Sequence, residues 1–352
     1  MRKVLILGGT AWLGRAIAAH AVGAGDDVTC LARGEARRVP AGARLVRSDR
    51  SRPGAYSGVL DGEWDDVIEL SYNHGFVTAA LDALGATARH WTLVSSVSVY
   101  ASNGEADAGE SAALHEPLDL DDYGHAKVAA ERASTSAVGD RLLIARAGLI
   151  AGPGDGSDRF GYWVGRFALA GDGAVLVPDT GNRMVQFIDV DDLAAWLIAA
   201  GRRGQSGTFN AVGPARPLVE VLSAAAEVAG RTARTVTAAD DWLITNDVRY
   251  WSGPRSLPLW LPAADVGFAQ RNTDAFLAAG GSTRCLRETL ARSLDDERAR
   301  GLDRERRSGL SRAEELEVIA RTLPSAEQRV GAGGEGEVDV DVDIDPDRGR
   351  GC

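Results

Sequence analysis

The chain has 352 residues, enough for two domains, and 45% of them are hydrophobic, as in an ordinary protein with a full core. A formal net charge of −11 leaves no broad basic face, so nucleic acid is not expected as a partner. The three cysteines and five histidines follow neither a disulfide framework nor the spacing of a metal site. We expect no metal and, since no long apolar segment is present, no membrane association. The interpretation is a soluble, reduced, cytoplasmic protein, with its oligomeric state left open.

The chain opens with an apolar run that leads into a glycine turn. Residues 3–7 predict a strand buried on both faces, and residues 15–23 predict the helix that follows. Such a turn presents free N–H groups and the positive end of a helix dipole, which together bind phosphate. An ordinary strand–turn–helix is the alternative. The candidate phosphate-binding residues are Gly8, Gly9, Thr10, Trp12, Leu13 and Gly14.

Strands continue to alternate with helical segments through the first 150 residues. This alternation favours a doubly wound parallel sheet, which is an α/β fold. The further strands are predicted at residues 28–32, 44–46, 66–70, 91–95 and 141–146.

Polar residues follow three of these strands, at the sheet edge where ligands bind in such folds. Arg33 follows the second strand, and its guanidinium matches the 2′-phosphate of NADP in charge and geometry. A solvated loop arginine is the alternative. Asp49 and Ser71 follow the third and fourth strands, and Asp49 could equally be a turn aspartate. We therefore expect NADP as the cofactor, with NAD as the second choice.

A tyrosine and a lysine share one face of a predicted helix over residues 121–136. Tyr123 and Lys127 are four residues apart, so their side chains lie one turn from each other. The ammonium lowers the pKa of the phenol, which is otherwise about 10 and too high for proton transfer near neutrality. The hydroxyl of Ser96, at the end of the fifth strand, could hold a substrate oxygen. A Tyr-x-x-x-Lys spacing alone also occurs by chance on surface helices.

Together, the glycine turn, the serine and the Tyr/Lys pair resemble the extended short-chain dehydrogenase/reductases of the NAD-dependent epimerase/dehydratase group. The resemblance covers about the first 200 residues. It implies a Rossmann-type doubly wound parallel sheet with a smaller C-terminal α/β substrate lobe. It also implies that Tyr123 is the acid/base, that Ser96 orients the substrate oxygen, and that Lys127 holds the nicotinamide ribose and tunes the tyrosine. Asp49 would contact the adenine amino group.

The resemblance also sets the expected domains. Residues 1–150 would form the dinucleotide-binding domain, which the chain rejoins at about 184–203. Residues 151–183 and 204–323 would form the substrate-binding lobe. The alternating acidic composition of residues 324–352 predicts a disordered tail. The candidate substrate contacts are Ser98, Gln186 and Arg255.

These features imply an NAD(P)-dependent oxidoreductase that transfers hydride at a carbinol or carbonyl carbon. Ser96, Val97 and Ser98 stand where the family's dehydratases have Thr-Asp-Glu, which argues against dehydration. One hypothesis is a reductase or dehydrogenase that uses NADPH, and another is a nucleotide-sugar epimerase that retains NAD. A non-catalytic dinucleotide sensor or RNA-binding relative is the alternative from another class, and the acidic charge weighs against it.

Overall fold

The computed structural model describes residues 1–231 and 234–322, so the predicted acidic tail lies outside the described residues. The chain divides into two compact units. Unit 1 consists of Met1–Gly156, Arg183–Pro217 and Leu261–Thr283. Unit 2 consists of Ser157–Asn182, Leu218–Trp260 and the described residues from Arg284 onward. Among the described helices, none is both long and apolar enough to cross a membrane.

Short strands and helices alternate along both units. The strands are β1 (Lys3–Leu7), β2 (Asp27–Ala32), β3 (Ala43–Arg47), β4 (Asp66–Glu69), β5 (Trp91–Ser96), β6 (Leu142–Ala147), β7 (Leu149–Ala151), β8 (Val175–Pro178), β9 (Met184–Val185), β10 (Phe187–Asp189), β11 (Gly207–Ala211), β12 (Arg216–Pro217), β13 (Thr235–Ala238), β14 (Arg249–Trp251) and β15 (Ser256–Pro258). The helices are α1 (Trp12–Gly23), α2 (His74–Leu84), α3 (Tyr123–Val138), α4 (Phe160–Ala170), α5 (Val190–Arg202), α6 (Leu218–Val228), α7 (Asp240–Thr245), α8 (Asp274–Ala278), α9 (Leu286–Arg300) and α10 (Arg312–Thr322). Turns of 3₁₀ helix lie at Ser57–Val59, Val97–Val99, Gly139–Arg141 and Ala263–Ala269.

Unit 1 is organised around a seven-stranded sheet in the order β11-β6-β5-β4-β1-β2-β3. Every neighbouring pair in it is parallel. Along β1, Val4 and Ile6 join the core cluster that contains residues of α1 and α5. Leu5 and Leu7 join the cluster that contains residues of α2 and α3. Helices therefore cover both faces, which explains the continuous apolar run of this strand, and the predicted doubly wound sheet is confirmed.

The edge strand β11 differs from the sequence-based expectation. Its residues lie in the range expected to belong to the second lobe, yet β11 pairs in parallel with β6. Phe209 and Ala211 then enter the same core cluster as Val4 and Ile6. This strand has five residues, and only two of them are apolar residues of the core cluster. Its sequence therefore carries little local pattern, and its place in the sheet depends on tertiary packing.

Unit 2 contains the strands β8, β13, β14 and β15 and the helices α4, α6, α7, α9 and α10. Within it β8 pairs with β13, and β14 pairs with β15, both in parallel. The aromatic residues of α4 are buried, and the Trp163 indole N–H donates to the carbonyl oxygen of Pro258 at 2.6 Å. Asp158 is bound by Arg300 at 2.9 Å in an ion pair close to α4 in sequence.

Candidate active site

The turn between β1 and α1 depends on backbone geometry that only small residues allow. Gly8 has a φ of +107°, in the region that favours glycine. A Cβ at Gly14 would come 2.4 Å from the carbonyl oxygen of Gly8, so α1 rests directly on the turn. The extended short-chain dehydrogenase/reductases, which this turn resembles, usually have the spacing Gly-x-x-Gly-x-x-Gly, and here Ala11 takes the place of the middle glycine between Gly8 and Gly14. The φ of Ala11 is −76°, which suits alanine. The turn therefore forms without that glycine.

The other predicted turn residues anchor this segment to its surroundings. A Cβ at Gly9 would come 2.4 Å from the Sγ atom of Cys30, so the turn lies directly against β2. The Trp12 indole N–H donates to the carbonyl oxygen of Pro153 at 2.7 Å. Leu13 packs against the core cluster beneath α1. The turn is thus anchored to β2, to Pro153 and to the core beneath α1.

A cavity of about 480 Å³ opens at the carboxyl ends of β1, β2 and β4. The structure brings five of the predicted cofactor-binding residues together around it: Gly8, Thr10, Arg33, Asp49 and Ser71. The Gly8 turn and the N-terminus of α1 fit the pyrophosphate of a dinucleotide, and the apolar walls of the cavity fit its adenosine. These residues are the ones that would hold such a cofactor.

A cation and two carboxylates border the outer part of this cavity. The Arg33 side chain is 65% exposed, and its Nε lies 3.3 Å from an Oε atom of Glu35. The carboxylate of Asp49 accepts hydrogen bonds from the backbone N–H of Ser51 at 3.0 Å and from its hydroxyl at 2.7 Å. These bonds, aided by Arg52 and Arg33, hold the pKa of Asp49 below its usual range. Glu35, which no sequence pattern singles out, shares the cavity with Arg33.

Helix α3 begins next to the end of β5. Asp122 caps it by accepting the backbone N–H of His125 at 3.0 Å. A Cβ at Gly124 would come 2.5 Å from the carbonyl oxygen of Ser98, so the first helical turn touches the segment after β5. Tyr123, the first residue of α3, is 44% exposed and therefore accessible to a ligand.

The two serines at the end of β5 are hydrogen-bonded to each other. Ser96 Oγ accepts the backbone N–H of Ser98 at 3.1 Å, and this bond caps the 3₁₀ turn that follows β5. The two hydroxyl oxygens lie 3.2 Å apart. The two hydroxyls therefore lie side by side where the chain leaves β5.

Lys127 is buried one turn behind the exposed tyrosine. Its side-chain ammonium donates to the carbonyl oxygen of Val94 at 2.6 Å and to that of Ser71 at 3.4 Å. The Nζ atom lies 5.9 Å from the centroid of the Tyr123 ring. Burial lowers the pKa of Lys127 to about 8, although nearby carboxylates act in the opposite direction. The arrangement places a readily titrated cation close to a phenol.

Two of the predicted substrate contacts bind other residues of the protein. Gln186 is buried in unit 1, where its side-chain amide exchanges two hydrogen bonds of 2.9 Å with the backbone of Arg271. Arg255 belongs to unit 2, where its Nη1 lies 3.3 Å from an Oε atom of Glu314. Ser98 is the predicted substrate contact that lies against the helix of Tyr123.

Several neighbours of the site were missed by the sequence analysis. The rings of Tyr72 and Tyr123 meet edge to face, with centroids 5.2 Å apart. Arg50 and Glu69 form a buried ion pair at 2.9 Å beside the cavity. No spacing predicts these contacts. For the predicted Lys127, the composition adds a further indication of a special role: of the 39 lysines and arginines, only residues 3 and 127 are lysines.

A doubly wound parallel sheet, a glycine turn at the first strand and a cavity at the strand ends define a dinucleotide-binding α/β protein. A model of the NAD dependent epimerase/dehydratase family matches residues 4–212. The chain belongs to this family, as the sequence motifs predicted, and it is therefore an enzyme of an NAD(P)-dependent class.

One curated relative and two solved structures illustrate this similarity. dTDP-6-deoxy-L-talose 4-dehydrogenase (NAD(P)(+)) from Kitasatospora kifunensis is 30% identical over 249 residues, which are 62% of this chain and 78% of the relative. UDP-glucuronic acid 4-epimerase from Bacillus cereus, in complex with NAD, has a TM-score of 0.63 at 14% identity and covers 84% of this chain and 99% of its own. RMD from Pseudomonas aeruginosa, complexed with NADPH, has a TM-score of 0.60 at 18% identity and covers 85% of this chain and 100% of its own. These two structures show the shared fold.

Proposed function

We propose that the protein is an NAD(P)-dependent oxidoreductase that transfers hydride at a carbinol or carbonyl carbon of a small molecule. The observation that carries the proposal is the placement of an exposed Tyr123 one helical turn from a buried Lys127, beside the end of β5. Ser96 completes the catalytic set from that end.

Each of the three side chains has a separate task in this mechanism. A nicotinamide cofactor, when bound, would supply or accept the hydride at the substrate carbon. Tyr123 donates a proton to the substrate oxygen during reduction and removes it during oxidation. The charge of Lys127 favours the phenolate over the phenol, and Ser96 Oγ turns from Ser98 to donate to the same oxygen.

The residue type at position 127 supports a chemical role for this cation. The chain uses arginine for nearly all its basic residues and keeps lysine only at positions 3 and 127. A guanidinium stays protonated at any working pH, whereas a buried ammonium shifts its pKa readily and presents a compact point charge. Lys127 is such a buried ammonium, with its pKa lowered to about 8 and its Nζ atom 5.9 Å from the centroid of the Tyr123 ring.

The relatives suggest the substrate class and two modes of use. The curated relative is named as a dTDP-6-deoxy-L-talose 4-dehydrogenase, which favours net oxidation or reduction of a nucleotide sugar with a dissociable cofactor. The structural similarity to a UDP-glucuronic acid 4-epimerase with NAD supports a second candidate, an epimerase that retains its cofactor. We assign substrate binding to unit 2 in either case.

The first test is to denature the purified protein and identify any released nucleotide by mass spectrometry. An empty protein that binds NADPH more tightly than NADH supports the reductase, whereas tightly held NAD supports the epimerase. A protein that holds neither nucleotide and binds neither when they are added would contradict both.

The second test is the Tyr123→Phe variant, assayed on dTDP- and UDP-sugars. We expect its turnover to fall by a factor of about 10² or more, since general acid–base catalysis typically contributes that much. The dissociation constant for the cofactor should change by less than about twofold. Turnover equal to that of the wild type would overturn the proposed roles.

A further inference from the structure

A buried ion pair lies between the cofactor cavity and the catalytic lysine. Arg50 follows β3, and Glu69 is the last residue of β4. Nη1 of Arg50 lies 2.9 Å from Oε1 of Glu69, and the second guanidinium nitrogen binds the other carboxylate oxygen. The carboxylate is fully buried and the arginine side chain is 9% exposed. A bidentate pair of this kind fixes the orientation of both groups.

The same guanidinium also holds the beginning of α2. Its Nη2 donates to the carbonyl oxygen of Phe76 at 2.8 Å, and its Nε donates to the hydroxyl of Tyr56 at 2.9 Å. That hydroxyl in turn donates to the carbonyl oxygen of Phe76 at 3.0 Å. Arg50 thus joins three segments of unit 1: the loop after β3, the end of β4 and the first turn of α2.

From the carboxylate, hydrogen bonds continue to the lysine. Glu69 Oε1 accepts the backbone N–H of Ser71 at 2.8 Å. The carbonyl oxygen of Ser71 lies 3.4 Å from Lys127 Nζ, which also donates to the carbonyl oxygen of Val94 at 2.6 Å. The Glu69 carboxylate therefore sets the position of the Ser71 segment, whose carbonyl oxygen is one of two that the ammonium contacts.

We propose that Arg50 and Glu69 are positioning residues for Lys127, fixing both the Ser71 segment and the electrostatic environment of the ammonium. The inference rests on the proposed function only in that Lys127 acts on Tyr123. The physical reason is that a buried ammonium needs nearby carbonyl oxygens and a counter-charge to stay protonated. Glu69 supplies that counter-charge, and Arg50 limits its strength.

Other charged groups also act on Lys127. Glu131, on the same helix, raises its pKa together with Glu69, while burial is the larger influence and lowers it. Glu131 is itself bound by Arg146 at 2.8 Å and by the hydroxyl of Ser95. The titratable or charged side chains that face this region from β4, the β3 loop, β6 and α3 are Glu69, Arg50, Arg146, Tyr123 and Glu131.

The test uses the unusual lysine content of the chain. When the full-length, ligand-free protein is labelled with isotopic lysine, its NMR spectrum should contain two side-chain signals, from Lys3 and Lys127. A Lys3→Arg variant assigns them. In the wild type, Lys127 should titrate at about pH 8. Glu69→Gln should lower that midpoint by about one pH unit, and Arg50→Gln should raise it by about one unit, as removal of an opposite or a like charge requires.

Opposite shifts distinguish positioning by charge from simple loosening of the fold. If one of the two variants does not fold, the sign of the other still decides. Asp66→Asn is the matched control, because Asp66 is an equally buried carboxylate at the other end of β4, paired with Arg2 at 2.7 Å. It should lower the free energy of unfolding and leave the Lys127 midpoint unchanged.

Two results would overturn the inference: an unchanged midpoint in either folded variant, or a shift opposite to the expected direction in either folded variant. Neither result bears on turnover, since the titration is measured without cofactor or substrate. The assay of Tyr123→Phe tests the proposed function separately. A failure of that function would therefore be distinguishable from a failure of the Arg50–Glu69 proposal.

Discussion

Gly124 lies so close to Ser98 that a Cβ on the glycine would come 2.5 Å from the carbonyl oxygen of the serine. The glycine follows Tyr123 directly, and Ser98 is hydrogen-bonded to Ser96. The backbone contact therefore sets how near the phenol and the serine hydroxyls can lie. A residue with no role in the proposed chemistry thus controls the geometry of the proposed catalytic set.

Gly124→Ala should accordingly separate folding from catalysis. The added methyl must move the first turn of α3 away from the end of β5, and a displacement of about 1 Å can cost up to 10²-fold in rate. We expect turnover to fall at least about tenfold while cofactor affinity is retained. Gly109→Ala is the control, because a Cβ there meets nothing within 4 Å. Equal turnover in the two variants would contradict the role of this contact.

The Arg33–Glu35 pair should govern the choice between the two nicotinamide cofactors. Arg33→Gln removes the cation available to a 2′-phosphate, so the dissociation constant for NADPH should rise about tenfold and that for NADH should change little. Glu35→Gln removes a competing carboxylate and should tighten NADPH binding by about twofold, a small effect because the pair is largely exposed. Binding can be followed by titration calorimetry.

Arg38→Gln is the matched control for this cofactor prediction. Arg38 is exposed and does not border the cavity. Its replacement therefore alters the net charge of the protein by the same amount as Arg33→Gln but removes no group that lines the cavity. Its dissociation constants should equal those of the wild type. If Arg33→Gln weakens the binding of NADPH and of NADH equally, the Arg33 side chain does not recognise the 2′-phosphate.

Tyr72 should restrain Tyr123, the proposed acid/base, through its ring and not through its hydroxyl. The two rings meet edge to face at 5.2 Å, a contact that stabilises by about 0.5–1.5 kcal/mol beyond buried area. Tyr72→Ala should therefore lower kcat about three- to tenfold, and Tyr72→Phe should leave it unchanged. A loss in the phenylalanine variant would show that the hydroxyl matters instead.

Burial of Lys127 should cost the ligand-free protein stability below pH 8. The pKa of this group falls from 10.5 to about 8 on folding, so the unfolded chain holds more protons between those values. Stability therefore rises with pH across that window, and the charged lysine costs roughly 3 kcal/mol below it. Lys127→Met should raise the free energy of unfolding at pH 7 by about 1–2 kcal/mol. This gain is smaller than the full cost of burying the charge, because the hydrogen bond to Val94 is lost.

Denaturant unfolding at pH 7 and pH 10 checks this prediction. The advantage of the methionine variant over the wild type should shrink at the higher pH, because the wild-type lysine is then neutral in the fold. Its turnover should be lost at both values. A variant less stable than the wild type at both pH values would contradict the sign.

The glycine turn, the parallel sheet and the shared face of Tyr123 and Lys127 follow from local patterns. Apolar runs bounded by glycine predict buried strands, and a four-residue spacing fixes one helical face, whatever the rest of the chain does. Such features could be predicted because each depends on residues that are close in sequence. Even Ala11, which departs from the family spacing, is accommodated by its own φ of −76°.

The sequence by itself therefore determined the fold class and the residue types of the proposed catalytic set. Only the tertiary structure decided which side chains meet around them. Arg50 binds Glu69, which is 19 residues away in sequence, and the side-chain amide of Gln186 is hydrogen-bonded to the backbone of Arg271, which is 85 residues away. These contacts depend on the order of strands in the sheet, since that order sets which strand ends become neighbours and leaves no local pattern to read.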